Sequence, residues 1–448
     1  MSNSRSFFTY CPQGSEGSLE KSCLLLHSTC PRWVAVNGTS LEIADLLDKG
    51  QSPEETAHHL TARYGIPLDS ARKDVLFVKE ELRKQQFFAE TSRAPSPRSP
   101  SINSIFLHIT KRCNLSCKHC YVVGPPDSDL PVSLILRMID EVQDHRCSSV
   151  TLSGGEPLLH PEIRTILSYA SHKTKLQILT NGTLITKEMA ALLGEAVSAI
   201  QISVDGSAQE IHDAIRGEGS FDRTMTAVER LQKAGLADRI TLSTTIMRQN
   251  LHDLPDVIAL AERLGIPSVR FLPLRKSGRA HALWHQVGSG LRAEHSERFY
   301  QFVLDLQQRR RYGASISCGL SGFLLKPPVE QSDDEYWCPV GKKLVVDGDG
   351  NIYPCVLLME DDFLLGNAFH QGLGEVLHSD RMLELCSALC ERRTKIPKCS
   401  QCLWRNLCQS GCMGQAFDHC GTIWETDHFC DFRNRAYQGA FDRILQGM

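Results

Sequence analysis

The chain has 448 residues, 49 of them basic and 52 acidic, and its formal net charge is −3. This balance gives no overall positive field for nucleic acid or an acidic membrane, and no apolar run approaches the roughly 18 residues of a membrane span. With 42% hydrophobic residues and no signal-peptide core at the start, we expect a large cytoplasmic protein of about three domains, whose 18 cysteines ligate metal rather than form disulfides.

The first predicted domain covers residues 20–90, and the Ser/Gly-rich residues before it are predicted to be loose. Two short strands are predicted at 23–27 and 33–37, followed by helices that start near Ser40, at Ser52-Pro53 and at Asp69. Strands followed by three helices indicate a winged-helix-like α+β domain. The charges of its third helix nearly cancel, which argues against DNA binding.

The segment WVAVNGTSLEIADLLDKGQSPEETAHHLTARYG, residues 33–65, resembles the PqqD-like peptide-recognition domains. The resemblance implies that the domain takes the leader of a ribosomally made precursor peptide as an extra strand near Trp33 to Asn37. A helix near Asp69 to Gln86 would pack on the leader side chains. A dimerisation or packing role stays open as the alternative. Residues 91–101, TSRAPSPRSPS, form a predicted Pro/Ser linker that would let this domain stay tethered while moving.

Three cysteines with the spacing CxxxCxxC, Cys113, Cys117 and Cys120, follow a predicted strand at 104–110. Thiolates are the usual ligands of a cubane 4Fe-4S cluster, and three of them leave one iron open to a small molecule. A zinc knuckle with His119 as the fourth ligand is the alternative. The next predicted strand, 148–153, ends in a Gly-Gly-Glu-Pro sequence: Gly154, Gly155, Glu156 and Pro157.

This combination of CxxxCxxC, a following Tyr121 and a GGEP sequence closing the next strand resembles the radical S-adenosylmethionine (SAM) superfamily. The resemblance implies that the three cysteines hold a [4Fe-4S] cluster and that SAM chelates the fourth iron through its amino and carboxylate groups. It also implies that the GGEP residues contact SAM, with the glycines letting the backbone approach its methionine end.

Strands predicted at 104–110, 148–153, 175–180, 199–204, 239–246 and 268–272 alternate with helices through the second domain, residues 102–312. This order predicts an α/β fold that closes into a partial (β/α)6 barrel, with its chemistry at the carboxyl ends of the strands. By resemblance, Asn181, Ser203 and Asp205 at these ends are SAM ribose and methionine contacts, and Arg216 lies near the SAM carboxylate.

The third predicted domain, residues 313–448, is rich in cysteine. Cys338, Gly350 and Cys355 precede a CxxCxxxxxCxxxC run, and the pattern resembles the SPASM extension of radical SAM enzymes. The resemblance implies two auxiliary [4Fe-4S] clusters, an outer one on Cys399, Cys402, Cys408 and Cys430 and an inner one on Cys338, Cys355 and Cys412. The inner cluster has either an open iron or a fourth ligand, for which Cys318 is the best candidate and Cys386 and Cys390 are weaker ones. A zinc ribbon is the alternative. Core or loop thiols are predicted for the remaining cysteines: Cys11, Cys23, Cys30, Cys147 and Cys420.

Together these resemblances imply a radical SAM enzyme that abstracts hydrogen from a precursor peptide through a 5'-deoxyadenosyl radical and forms a thioether or carbon–carbon crosslink. A flavodoxin or ferredoxin would supply electrons, and the auxiliary clusters would accept the electron left on the substrate. Sulfatase-maturating and haem-modifying relatives are the enzyme alternatives. The first carries an acidic base where this chain has Val356, and both lack the recognition domain. A peptide-binding iron-sulfur or zinc scaffold is the non-enzyme alternative. No residue is assigned as a catalytic acid or base.

Overall fold

The computed structural model describes residues 6–12, 22–87, 97–122, 128–145, 147–288, 313–318 and 338–446, together with residues 298 and 302. Within these residues the strands form two sheets, one of three strands and one of ten. The larger sheet is built mainly from parallel strands with helices between them, so the predicted α/β class is confirmed.

The small sheet is antiparallel and is followed by three helices, as predicted. Its strands are β1 (Phe7–Tyr10), β2 (Cys23–His27) and β3 (Trp33–Val36), and its helices are α1 (Gly38–Asp48), α2 (Pro53–Tyr64) and α3 (Leu68–Lys84). The prediction of a cap at Ser40 is wrong, because the Asn37 side chain accepts from the Ser40 N–H and the helix begins at Gly38. Ser52 and Glu55 form a capping box that starts α2.

Strand β1 lies in the segment that the sequence predicted to be loose. Strand β1 pairs with β2 so that Tyr10 lies opposite Leu24. Cys11 and Cys23, which adjoin this pair, are therefore close, with their Cα atoms 4.6 Å apart. These cysteines form a disulfide. The prediction that both are unpaired thiols is therefore wrong, because the pairing of β1 places the two side chains on neighbouring chain segments.

The two faces of the small sheet pack on different parts of the chain. Alternate residues of β2 and β3, including Leu25 and Val36, form a core with α1–α3. The opposite face, with Leu24 and Leu26, packs against the C-terminal helix Cys430–Gln446 and the segment before it. The interface includes a Trp33–Phe441 ring contact at 5.0 Å. The small domain packs on the C-terminal helix in this structure, and the tethering role of the linker stays a prediction.

The large sheet has the order β10-β9-β8-β7-β6-β5-β4-β11-β12-β13. Its strands are β4 (Ser104–Thr110), β5 (Ser149–Gly154), β6 (Lys175–Thr180), β7 (Ala199–Ser203), β8 (Ile240–Ile246), β9 (Ser268–Pro273), β10 (Ser315–Cys318), β11 (Lys343–Val346), β12 (Asn351–Tyr353) and β13 (Gly366–Asn367). Strands β4–β9 match the six predicted strands to within about one residue. The strands β10 and β11 extend the parallel sheet at its two ends.

Helices cover the outer face of this sheet and contribute to its core. They are α4 (Val132–Asp144), α5 (Ile163–Ser171), α6 (Lys187–Ala196), α7 (Gln209–Arg216), α8 (Ser220–Lys233) and α9 (Leu254–Arg263), followed by the short α10 (Gly278–Ala282) and α11 (Trp284–Val287). Short 3-10 turns occur at Pro157–Leu159, Ala237–Arg239 and Asp361–Phe363.

The sheet curls, so that the segment after β9 meets the loop after β4. The Arg279 N–H donates to the Cys120 carbonyl at 2.8 Å, although four strands separate β4 from β9 in the sheet order. A Cβ atom at Gly278 would lie 2.6 Å from the same carbonyl oxygen, so the contact leaves no room for a side chain. This curvature encloses an inner face, toward which the carboxyl ends of the strands deliver their loops.

The C-terminal region adds β11–β13 to the sheet and then continues as helices. These are α12 (Leu373–Leu377), α13 (Asp380–Lys395), α14 (Pro397–Ser400), α15 (Arg405–Cys408), α16 (Met413–Cys420) and α17 (Cys430–Gln446). The end of the predicted linker is fixed here, because Arg98 is buried and donates to the Cys338 and Val340 carbonyls. No helix among the described residues is long and apolar enough to cross a membrane.

Candidate functional site

The loop after β4 brings Cys113, Cys117 and Cys120 together. Cys117 is buried and Cys113 is reached by solvent. The surrounding protein nevertheless raises the pKa of the Cys113 thiol to about 11, and the neighbouring Cys117 and Cys120 add to this effect. Each of these thiols makes the ionisation of its neighbours less favourable. All three become thiolates readily only when a cation compensates their negative charge, and the irons of a cluster supply that positive charge.

The GGEP sequence packs directly on this cysteine loop. The Gly155 N–H donates to the Thr110 carbonyl and the Glu156 N–H to the Arg112 carbonyl, both at 2.7 Å. A Cβ atom on Gly154 would collide with the Thr110 carbonyl, and one on Gly155 with the Arg112 carbonyl. The glycines therefore allow the close approach of two backbone segments, and this approach forms one wall of the cluster loop.

Glu156 joins the cysteine loop to the end of β6. It is fully buried, and its carboxylate accepts from the Thr180 hydroxyl at 2.7 Å and the Asn181 N–H at 2.8 Å. Burial raises the pKa of Glu156 to about 7, against the effect of these donors. The Asn181 amide donates to Asn114 inside the cysteine loop at 2.9 Å. The predicted SAM contact Asn181 thus holds the cluster loop in place, while Pro157 starts a buried 3-10 turn.

Asp205 and Arg216 contact the cysteine loop, whereas Ser203 lies at the end of β7, two residues before Asp205. Ser203 ends β7 and is partly exposed. Asp205 is fully buried, accepts from the Thr245 N–H at 2.8 Å and forms an ion pair with Arg216 at 2.6 Å. Although burial opposes the charged carboxylate, Arg216 and then His119 lower the pKa of Asp205 overall. The predicted ribose contact Asp205 is therefore already engaged by protein groups.

Arg216 connects this pair to the cysteines, since its Nη1 lies 3.8 Å from the Cys117 Sγ. Sequence reasoning missed a second arginine, Arg279, whose Nη1 donates to the Cys117 carbonyl at 2.6 Å. No local pattern could have identified Arg279, because the contact spans 162 residues. The roles of Asn181, Ser203, Asp205 and Arg216 toward SAM remain predictions.

The C-terminal cysteines influence one another electrostatically in two sets, and their assignment as ligands of an inner and an outer cluster stays a prediction. Burial raises the pKa of Cys338 to about 11 and also raises that of Cys412. The charge of Cys355 raises the pKa of both thiols further, and the charge of Cys338 raises that of Cys412. Burial likewise raises the pKa of Cys399 to about 11, with further contributions from the rest of its group: Cys408, Cys430 and Cys402.

The outer group surrounds a cavity of about 410 Å³ that is suited to a cluster. Its four cysteines line the cavity together with Arg433 and Tyr437. The Arg433 Nε donates to the Cys408 Sγ at 3.2 Å, and the buried Tyr437 hydroxyl has no hydrogen-bond partner among the described residues. Donors directed at thiolates and at an enclosed space suit the sulfur atoms of an iron-sulfur cluster, so these residues fit the group.

The zinc alternatives require side chains that converge on a single ion. A structural zinc ion needs four ligands within about 2.3 Å of one point. In the part of the chain that the structure describes, no three His, Cys, Asp or Glu side chains converge closely enough to hold a single metal ion.

The fourth ligand of the inner group is not identified among the described side chains. Cys318 ends β10, and its side chain lies outside the described part. Burial raises the pKa of Cys386 to about 11, with Arg98 opposing and Cys390 adding to this effect. Cys386 and Cys390 stay predicted candidates for the fourth ligand.

Comparisons with known proteins agree with this arrangement. The chain matches the Radical SAM superfamily at residues 107–261, the SPASM iron-sulfur cluster-binding domain at 338–403, and coenzyme PQQ synthesis protein D (PqqD) at 22–87. It is 32% identical to mycofactocin maturase MftC of Mycolicibacterium smegmatis over 320 residues, which cover 69% of this chain and 77% of the relative. It is 27% identical to the AdoMet-dependent heme synthase of Methanosarcina barkeri, over 72% of this chain and 95% of the relative.

The fold also resembles solved structures. Streptococcus suis SuiB bound to its precursor peptide SuiA superposes with a TM-score of 0.61 at 16% identity, over 91% of this chain and 96% of SuiB. The predicted cofactors, SAM and [4Fe-4S] clusters, follow from the domain matches. The chain therefore belongs to the radical SAM enzymes that carry a SPASM iron-sulfur domain.

Proposed function

We propose that this chain is a maturase that modifies a ribosomally made precursor peptide. The observation that carries the proposal is that one chain contains a PqqD domain, a radical SAM cysteine loop and two SPASM cysteine groups. A domain that recognises peptides has a clear purpose when the substrate of the radical chemistry is itself a peptide.

The free edge of β3 is the proposed binding site for the leader. Strand β3 pairs with β2 on one side, and no described strand pairs with its other side. The end of α3 lies beside the start of β3, since Arg32 donates to the Gln85 carbonyl at 3.2 Å. Along its outer side α3 exposes Leu76 and Phe77, the latter with 68% of its surface accessible. An added strand would gain backbone hydrogen bonds from β3 and apolar contacts from α3.

The cofactors supply one-electron cleavage of SAM and a carbon-centred radical that abstracts hydrogen. The chain's own residues supply position. Arg216 and Arg279 hold the Cys117 segment from two sides, and Glu156 and Asn181 fix the loop to the carboxyl end of β6. The curled sheet encloses the inner face and limits the access of water to the reacting groups.

The product is proposed to be a thioether or carbon–carbon crosslink. The likeness to the heme synthase makes haem modification the second candidate. The PqqD domain favours the peptide, and an acidic residue of the sulfatase-maturating kind is replaced by Val356. We further propose that a flavodoxin or ferredoxin donates the electron and that the enzyme acts in the cytoplasm.

Anaerobic reconstitution tests the radical chemistry. We expect about twelve irons per chain, as three clusters require, and 5'-deoxyadenosine after addition of dithionite and SAM. Cys117→Ala should abolish deoxyadenosine formation. About four irons would contradict the auxiliary clusters, and bound zinc without SAM cleavage would contradict the enzyme.

Peptide binding tests the substrate class, with a peptide encoded by a short reading frame beside the gene as the probe. Phe77→Asp should weaken leader binding about tenfold, because it places a charge in the apolar contact. Leu383→Asp is the matched control, since Leu383 is an exposed apolar residue on α13, outside the recognition domain. Haem binding without peptide binding would favour the second candidate.

A further inference from the structure

Three cations line the inner face of the curled sheet. Arg270 lies on β9 between Val269 and Phe271, which both point into the core under the helices, so Arg270 points inward. On β11, Lys343 directly precedes the core residue Leu344, so by the same alternation its side chain also points inward. The guanidinium of Arg275, just after β9, lies 5.1 Å from the ring of Tyr121, the residue that follows Cys120.

These cations are close to one another across the interior. Five strands separate β9 from β11 in the sheet order, yet Arg270 contributes to lowering the pKa of Lys343, after the larger effect of burial. Arg275 and Lys343 both act on the thiol of Cys355 in the inner group. Arg275 therefore lies near both the first cysteine loop and Cys355, and Lys343 and Arg270 lie near one another on the same inner face.

No described carboxylate forms an ion pair with any of the three. Burial lowers the pKa of Arg270, and no described anion offsets this. The Arg275 Nη1 is buried and has no hydrogen-bond partner in the part of the chain that the structure describes. Buried arginines elsewhere in the described chain have acceptors: Arg216 pairs with Asp205 at 2.6 Å and Arg433 with Asp427 at 2.7 Å, whereas Arg392 donates to backbone carbonyls.

The inner cluster explains only part of this charge. The negative charge of the Cys355 thiolate raises the pKa of Lys343, against the lowering by burial. No described thiolate or carboxylate raises the pKa of Arg270 in the same way. Solvent reaches the Arg270 side chain, so a ligand can reach it as well. A cation that is surrounded by protein but open to solvent favours an anionic partner, and a guanidinium presents two parallel N–H donors that match a carboxylate.

We propose that Arg270, with Arg275 and Lys343, binds a carboxylate of the core segment of the precursor peptide, either an Asp or Glu side chain or the C-terminus. The inference rests on the proposed function, because carboxylates are the anions that an unmodified ribosomal peptide offers. The bound carboxylate orients the segment that faces the first cysteine loop.

The experiment compares N-acetyl-alanyl-alanine with its C-terminal amide as probes. Binding to the anaerobically reconstituted holoenzyme is measured by saturation-transfer NMR, with SAM at saturation so that the site for the SAM carboxylate is filled. The acid should bind at least about tenfold more tightly than the amide, and Arg270→Gln should remove that preference. Arg270→Lys keeps the charge without the paired donors and should give an intermediate preference.

Arg263→Gln, an exposed arginine on the outer helix α9, is the matched control and should bind the acid like the parent. Circular dichroism and iron content check that the Arg270 variants fold, and Arg275→Gln serves as a further variant. Equal binding of acid and amide, or an acid preference that survives both glutamine substitutions, would overturn the proposal. Deoxyadenosine formation and leader binding test the proposed function separately. If both are found while acid and amide bind equally, only the carboxylate site is wrong.

Discussion

Replacing Asp427 by Asn should strongly destabilise the C-terminal domain. The buried carboxylate accepts from the Cys412 N–H and from Arg433, both at 2.7 Å, and from the Phe429 N–H at 3.0 Å. Arg433 in turn donates to Cys408. Asp427 therefore joins a cysteine of the inner group to a cysteine of the outer group through one arginine.

The expected cost follows from the burial of this pair. Removing one partner of a buried ion pair costs about 3–5 kcal/mol, because the other charge stays buried without compensation. We expect a value near the lower end, about 3 kcal/mol, since the Cys408 sulfur still accepts from Arg433. Anaerobic urea unfolding, followed by iron-sulfur absorbance and tryptophan fluorescence, should show a lower midpoint for Asp427→Asn.

Asp431→Asn is the control for this substitution. Asp431 also forms an ion pair, with Lys398 at 2.7 Å, but its side chain is 71% exposed. Loss of an exposed pair costs about 0.5 kcal/mol. If the two variants had the same midpoint, the buried pair would not stabilise the domain and the reasoning would be refuted.

Three further outcomes are expected. Gly155→Ala should lower the iron content by about four per chain, because its Cβ collides with the Arg112 carbonyl, whereas Gly439→Ala, which has open space around it, should keep the full content. Burial lowers the pKa of His108 to about 4, below its ordinary value of 6.5, so its contribution to stability is present above about pH 6.5 and is lost as the pH falls toward 4. His108→Gln should therefore reduce the acid sensitivity of unfolding by at most about 3 kcal/mol, and an unchanged pH profile would contradict this. Tyr437→Phe should leave the stability of the iron-free protein unchanged. It should lower the reduction potential of the outer cluster, measured by redox titration, because a donor to sulfur is lost. An unchanged potential would mean that this hydroxyl does not face the cluster.

The parallel strands β4–β9 could be predicted from sequence because each is an apolar run between helical patterns. β4 and β6 occur at the predicted residues, and the others differ by about one residue. The two C-terminal cysteine groups stay a prediction from the spacing of the cysteines, which matches what clusters require. These features depend on residues that are close in sequence or on a recurring pattern.

The remaining features depend on pairing between distant segments. Strand β1 was missed because Phe7–Tyr10 stands among Ser and Gly residues, and the Cys11–Cys23 disulfide depends on that strand. The ion pair between Asp205 and Arg216 was missed because, in the sequence alone, a carboxylate at a strand end is as well suited to bind a ligand as to pair with a protein cation. The contact of Arg433 with Cys408 depends on how α17 packs, which no local pattern indicates.

The small sheet is fixed to the helix Cys430–Gln446, so a leader paired with β3 would be held at a constant distance from the interior of the large sheet. An extended peptide spans about 3.3 Å per residue, so this distance corresponds to a set number of residues. The modified position would then be chosen by counting from the leader rather than by reading the sequence around the target. Substitutions beside the target would be tolerated, whereas inserting one residue between leader and target would move the modification to the neighbouring position.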